Sequence, residues 1–168
     1  MNDEIFMKKA IDLSAAAVAH GNEPFGAVLV KDGEIVFTNE NQIYTRHDPT
    51  FHGEAGLIRE FCAQTGITDL HEYTMYANCE PCFMCSGAMV WVKLGRLVYG
   101  ASNDDLETML GNRGCNCSAM VLKTPSGSRR LHPAFCGRKA WTSCGRILPN
   151  IKKDKKTPQA YGLRRFFT

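Results

Sequence analysis

The sequence predicts a layered α/β sandwich, and three observations carry that expectation: an amphipathic helical repeat near the start, an Asp-Gly hairpin after it, and two later strand-to-helix steps. Ile5, Phe6, Ala10, Leu13 and Ala17 recur at helical spacing between Asp3 and His20, and Gly21-Asn22 supplies a stop. Ala27-Val28-Leu29-Val30 and Ile35-Val36-Phe37 flank Lys31-Asp32-Gly33-Glu34, whose Asp-Gly signals an antiparallel strand pair. A polar stretch from Asn39 to Pro49 leads into a second helix with Pro49 and Thr50 near its start and Ala55, Leu57, Ile58 and Phe61 as its buried face. That places His52 and Glu54 in the first turn. The strand-like run Tyr73-Thr74-Met75-Tyr76-Ala77 then passes through Asn78-Cys79-Glu80-Pro81 into a third helix carrying Cys82, Cys85, Met89 and Val92, and Arg96-Leu97-Val98-Tyr99-Gly100 reads as a further strand. The order from residue 3 to residue 100 is α-β-β-α-β-α-β. Beyond Gly114 no period emerges, and the C-terminal segment reads as irregular.

At 168 residues and 44% hydrophobic content, the chain suffices for one filled core and is short for two domains. No apolar run approaches the roughly 20 residues of a membrane span, and the start Met1-Asn2-Asp3-Glu4 is acidic where a secretion signal is basic, so the expected location is the cytoplasm. The net charge of +3 hides an asymmetry. Residues 1–114 hold 8 Lys/Arg against 16 Asp/Glu, a balance of −8, whereas residues 115–168 hold 12 Lys/Arg against Asp154 alone, a balance of +11. Clustered Lys/Arg suits phosphates, but Lys152-Lys153-Asp154-Lys155-Lys156 is equally what a solvated end looks like, so nucleic-acid binding ranks below a small-molecule partner.

Eight cysteines in such a chain point to thiol chemistry rather than a disulfide framework, and Cys79, Cys82 and Cys85 cluster. Catalytic zinc commonly takes three nitrogen or sulfur ligands and leaves a fourth position for water. His52, Cys82 and Cys85 supply that set, since a Cys-x-x-Cys step at a helix start brings both sulfurs to one ion and the helix dipole favours thiolates. Glu54, two residues after the histidine, can face the water and carry protons. The competing readings are a closed structural site with Cys79 as fourth ligand, a redox Cys-x-x-Cys, and a Glu54 that merely favours the helix dipole. His20, His47, His71 and His132 read as surface or loop residues, and Met89 and Trp91 as core or dimer contacts.

His52-Gly53-Glu54 followed by Pro81-Cys82-Phe83-Met84-Cys85 matches the His-x-Glu and Pro-Cys-x-x-Cys signature of zinc nucleobase deaminases. With Asp48-Pro49-Thr50 and Ser86-Gly87-Ala88-Met89 around it, the chain resembles the cytidine deaminase-like superfamily over roughly residues 3–113. Its guanine, tRNA-adenosine and cytosine deaminase branches look nearest. The resemblance implies a three-layer α/β/α sandwich around a mixed sheet, hydrolytic loss of ammonia from an amidine carbon, and a homodimer. It also implies that Asn41 hydrogen-bonds the substrate ring and that Phe25 and Ala27 line the same pocket.

The expected division is therefore a zinc-dependent deaminase domain over 1–113 and an atypical basic tail over 114–168. A back-translation of Leu131–Ile151 in a shifted frame gives a turn and a charged amphipathic helix of the kind the family continues with, so the tail reads as out of frame. Pro24-Phe25-Gly26-Ala27 and Asn78-Cys79-Glu80-Pro81-Cys82 resemble the guanine branch, so the expected substrate is a free base: guanine or a related 2-amino-oxo or aminopyrimidine ring. Asp48-Pro49-Thr50 also suits the tRNA branch and Gly53 the cytosine branch. The alternatives are adenosine in tRNA, or a zinc-binding but inactive domain.

Overall fold

Asp32 and Gly33, with φ of 52° and 82°, make a two-residue turn of the type whose twist matches paired strands, and it folds β1 (Gly26–Lys31) back onto β2 (Glu34–Glu40). The computed structural model describes residues 3–105, 118–122 and 130–132. Helix α1 (Asp3–Ala19) precedes the hairpin. After it come α2 (Gly53–Thr65), β3 (Thr74–Cys79), α3 (Phe83–Trp91), β4 (Arg96–Ala101), α4 (Ser118–Leu122) and β5 (Arg130–His132).

The sheet order is β2-β1-β3-β4-β5, antiparallel across its first two junctions and parallel across the last two. Side chains alternate faces along each strand, and both faces are covered. Val28, Val30, Tyr76 and Val98 pack against Phe6, Met7 and Ala10 of α1. On the opposite face Ala27, Leu29, Met75 and Leu97 pack against Leu57, Ile58 and Phe61 of α2 and Met89 of α3. The result is the expected α/β/α sandwich around a mixed sheet. Each fully buried Leu or Phe contributes about 1.5–3 kcal/mol, so these two layers carry most of the stability.

Several boundaries differ from the sequence expectation. In α1, Met7 and Ser14 are buried while Ile5 is exposed, because the face toward the sheet is rotated from the one the hydrophobic residues suggest. Helix α2 starts at Gly53 with His52 as its N-cap, so Pro49 and Thr50 belong to the preceding loop. Asp48 accepts hydrogen bonds there from the Thr50 N–H and hydroxyl at 2.8 and 2.6 Å, a local bond set that competes with helix. Strand β3 runs on to Cys79, and Cys82 is the N-cap of α3 rather than a residue inside it. Residues 118–122 and 130–132 form α4 and β5 in a segment read as irregular; at five and three residues they are too short to leave a period. The rest of the 114–168 expectation lies outside the described residues.

At the edge of the sheet away from the α2 and α3 N-termini, Arg96 holds the first turn of α1, donating to both Asp3 carboxylate oxygens at 3.1 and 2.7 Å, while the Tyr76 hydroxyl donates to Asp3 at 2.7 Å. Arg96 pulls the Asp3 carboxyl below its ordinary 3.8. A depressed folded pKa contributes stability that is fully present above the unfolded value and lost as pH falls through the folded one. Asp3→Asn is therefore expected to destabilise the protein by about 1 kcal/mol at neutral pH, a value at the upper end for a partly exposed pair. In thermal melts across pH, the difference from wild type should shrink below pH 3.8; a difference that persists unchanged at lower pH would exclude the ionised pair as its source.

Candidate active site

Strands β2 and β3 both run antiparallel to β1 and hence parallel to each other, so the helices that follow them begin at the same edge of the sheet. His52 caps α2 with φ −69° and ψ 155°, and Cys82 caps α3 with φ −68° and ψ 173°. The His52 side chain makes no cap hydrogen bond to α2, and the Cys82 thiol bonds Cys85 one turn on and faces His52. His52 Nδ1 lies 3.7 Å from Cys82 Sγ, and one ligand atom each from His52, Cys82 and Cys85 falls within 4.8 Å of the others. A tetrahedral ion with its nitrogen ligand at about 2.1 Å and its sulfur at about 2.3 Å would space these two donors by about 3.6 Å. The residues fit zinc. Cys79 is not part of the group, so among the described residues the set has three members, the number of protein ligands a catalytic zinc site takes.

The local electrostatics favour a cation. The Cys82 thiol is pulled down to about 4, first by its hydrogen bond with Cys85 and then by His52. The same partner, Cys82, and burial push Cys85 well above its ordinary value, while Cys82 raises His52. One thiolate thus shares protons with two neighbours at adjacent helix N-termini, the arrangement a metal ion would replace. Glu54 is only 6% exposed, so it is no solvated first-turn acid. Its carboxylate sits 3.5 Å from Cys85 Sγ, and burial raises its pKa.

Asn41 is fully buried, its N–H donating to the Phe25 carbonyl at 2.8 Å and its side-chain oxygen accepting from the Ile43 N–H at 3.2 Å. Two buried amide nitrogens among the described residues have no hydrogen-bond partner, those of Asn39 and Asn41. The Asn39 nitrogen lies against Gly56 and the Phe51 ring, inside the packing of α2. Phe25 is half-buried, with its carbonyl against Gly53, directly between His52 and Glu54. Ala27, in β1, is fully buried in the core on the α2 and α3 side of the sheet. His20, His47 and His71 are exposed and His132 lies among residues whose side chains are not described; Met89 is core, whereas Trp91 is 87% exposed.

Asn78 and Glu80 stand within the motif segments, but no spacing in the sequence assigns them a role. Asn78 Oδ1 accepts the Gly26 N–H at 2.8 Å and Nδ2 donates to the Pro24 carbonyl at 2.9 Å, tying the end of β3 to the Pro24–Ala27 rim. Gly26 must be glycine, since a Cβ there would meet the Ala10 carbonyl oxygen at 2.5 Å. Glu23, which accepts from the Tyr44 hydroxyl at 3.2 Å and acts electrostatically on His52, also went unnoticed. The only signal for these residues was adjacency to the motifs.

Residues 1–101 match the family model for the cytidine and deoxycytidylate deaminase zinc-binding region. The chain belongs to this family. It is a zinc-dependent hydrolytic deaminase, whose His/Cys/Cys group is placed to bind the metal. The deaminase is 42% identical over 106 residues to guanine deaminase of Bacillus subtilis, covering 62% of this chain and 68% of the relative. It is 35% identical over 156 residues to the tRNA-specific adenosine deaminase of Buchnera aphidicola subsp. Schizaphis graminum, covering 92% and 96%. Among solved structures, the X-ray structure of guanine deaminase from Bacillus subtilis superposes with a TM-score of 0.62 at 31% identity, covering 89% of this chain and 95% of that one. No helix among the described residues of this deaminase is long and apolar enough to cross a membrane.

Proposed function

We propose that this deaminase acts on a free nucleobase, guanine or a related 2-amino-oxo or aminopyrimidine ring, with zinc held by His52, Cys82 and Cys85. Bound there, zinc supplies Lewis-acid activation of a water molecule. Glu54 would take one proton of that water and give it to the ring nitrogen as the oxygen adds to the amidine carbon, then carry the second proton, from the new hydroxyl, to the amino group, so that the C–N bond breaks, a carbonyl remains and ammonia leaves. A buried carboxyl with a raised pKa suits a group that must hold and give up a proton near neutrality. Asn41 offers its spare N–H to a ring carbonyl or nitrogen, and Phe25 packs beside the ring, with Ala27 beneath.

The observation that carries this reading is the unpartnered buried Asn41 nitrogen on the residue directly after β2, whose N–H is bonded to the Phe25 carbonyl, which in turn packs against Gly53 between His52 and Glu54. A donor left unsatisfied in a buried site costs about 1–3 kcal/mol, which a ligand acceptor recovers. The preference for a free base is supported by the −8 balance of residues 1–114 and by the Glu23 carboxylate at the rim, both unfavourable to a phosphate backbone. The second reading, adenosine in tRNA, is favoured by the +11 balance of residues 115–168 and by the long alignment with the Buchnera enzyme. For the homodimer, Phe83, Met84 and Trp91 offer an exposed apolar stripe on one side of α3.

Asn41→Ala is expected to raise KM for the base by roughly 5–150-fold, the equivalent of about 1–3 kcal/mol, while zinc content stays unchanged. Steady-state kinetics with parallel metal analysis checks this. An unchanged KM would remove Asn41 from the binding site.

A further inference from the structure

We infer that Glu80 is a positioning residue that couples the zinc loop to the chain beyond β4; this rests on the assignment of Cys82 as a zinc ligand. Glu80 lies between Cys79, the last residue of β3, and Pro81-Cys82, the entry to α3. Its backbone N–H donates to the Ala101 carbonyl at 2.8 Å, which closes the end of β3 onto the end of β4. One carboxylate oxygen accepts the Asn103 N–H at 3.0 Å. The other accepts the Ser118 N–H at 2.9 Å and the Ser118 hydroxyl at 2.7 Å.

Two points of the chain fifteen residues apart in sequence, one just past β4 and one opening α4, thus converge on a single carboxylate two residues from Cys82. Ser118 is buried, and Leu122 at the other end of α4 joins the core cluster of Met89 in α3 and its C-cap Val92, so α4 is held at one end by the loop that leads into Cys82 and at the other by the packing of α3. The arrangement is that of a group outside the metal set that fixes the backbone of a ligand. Removing such a partner typically costs 10–100-fold in metal affinity or activity. Because coupling is reciprocal, zinc binding in turn steadies the Asn103 and Ser118 amides.

The test uses the full chain. Zinc affinity is read by competition with a chromogenic chelator, and amide hydrogen exchange is read at Asn103 and Ser118 with and without zinc. Glu80→Gln, which replaces one acceptor oxygen with a donor, is expected to weaken zinc binding roughly 10–100-fold. It should also abolish the zinc-dependent slowing of exchange at the two amides that wild type shows. Ser118→Ala, a milder change, should move both readouts in the same direction by less. A purely structural Glu80 would alter exchange equally with and without zinc and leave affinity intact, and that result overturns the inference. Cys82→Ser separates the premises: if it leaves zinc affinity unchanged, the ligand assignment fails and the inference with it; if it loses zinc while both other variants keep wild-type affinity, only the role of Glu80 fails.

Discussion

Glu54→Gln should lower kcat by roughly 10²- to 10⁴-fold, the span general acid–base groups supply, while the protein keeps its zinc and its melting temperature. The substitution is nearly isosteric and retains an oxygen that can accept from Cys85, now 3.5 Å away. What it removes is the capacity to take a proton and hand it on. Burial raises the Glu54 pKa, and the carboxyl stands beside the metal group in the first turn of α2, so no other carboxylate on that turn can substitute. Stopped-time ammonia assays with parallel metal analysis separate the outcomes. Turnover within a few-fold of wild type would mean that the proton moves by another route.

Loss of the metal should be as severe and should reach stability as well. Stripping zinc with a chelator, or replacing His52 by Ala, is expected to bring ammonia release to background; restoring zinc should rescue the stripped wild type and not His52→Ala. Without the ion, Cys82, Cys85 and His52 are left sharing protons at two facing helix N-termini, with Cys85 almost wholly buried. Zinc at a hundred times its Kd stabilises the folded state by about 2.7 kcal/mol, so the stripped protein should melt lower, by an amount that grows with the affinity. Activity that survives a fall of bound metal to background would contradict a metal-dependent reaction.

The parts of this structure that were legible in the sequence are those fixed by local rules. The Asp32-Gly33 turn needs positive φ at both positions, which announces the hairpin, and the α-β-β-α-β-α-β order follows from pattern alone. The zinc group was legible because two short motifs specify it. Long-range pairings were not legible: Asn78 with Gly26 and Pro24, Glu80 with Ser118, and Asp3 with Arg96 join residues whose partnership leaves no spacing in the sequence. The buried face of α1 was misassigned at Ile5 and Met7 because which face turns inward depends on the sheet beneath, with Tyr76 and Val98 set by other segments. His52 and Cys82 were placed inside helices when they cap them; extended backbone at both caps directs the two side chains toward each other.

The most direct test is ammonia release by zinc-loaded protein, wild type and Glu54→Gln side by side, from guanine, isocytosine, cytosine, adenine and a tRNA anticodon stem-loop. Release from at least one free base, lost in Glu54→Gln, is the expected result. Release confined to the stem-loop, or release from a free base that Glu54→Gln leaves undiminished, would contradict it.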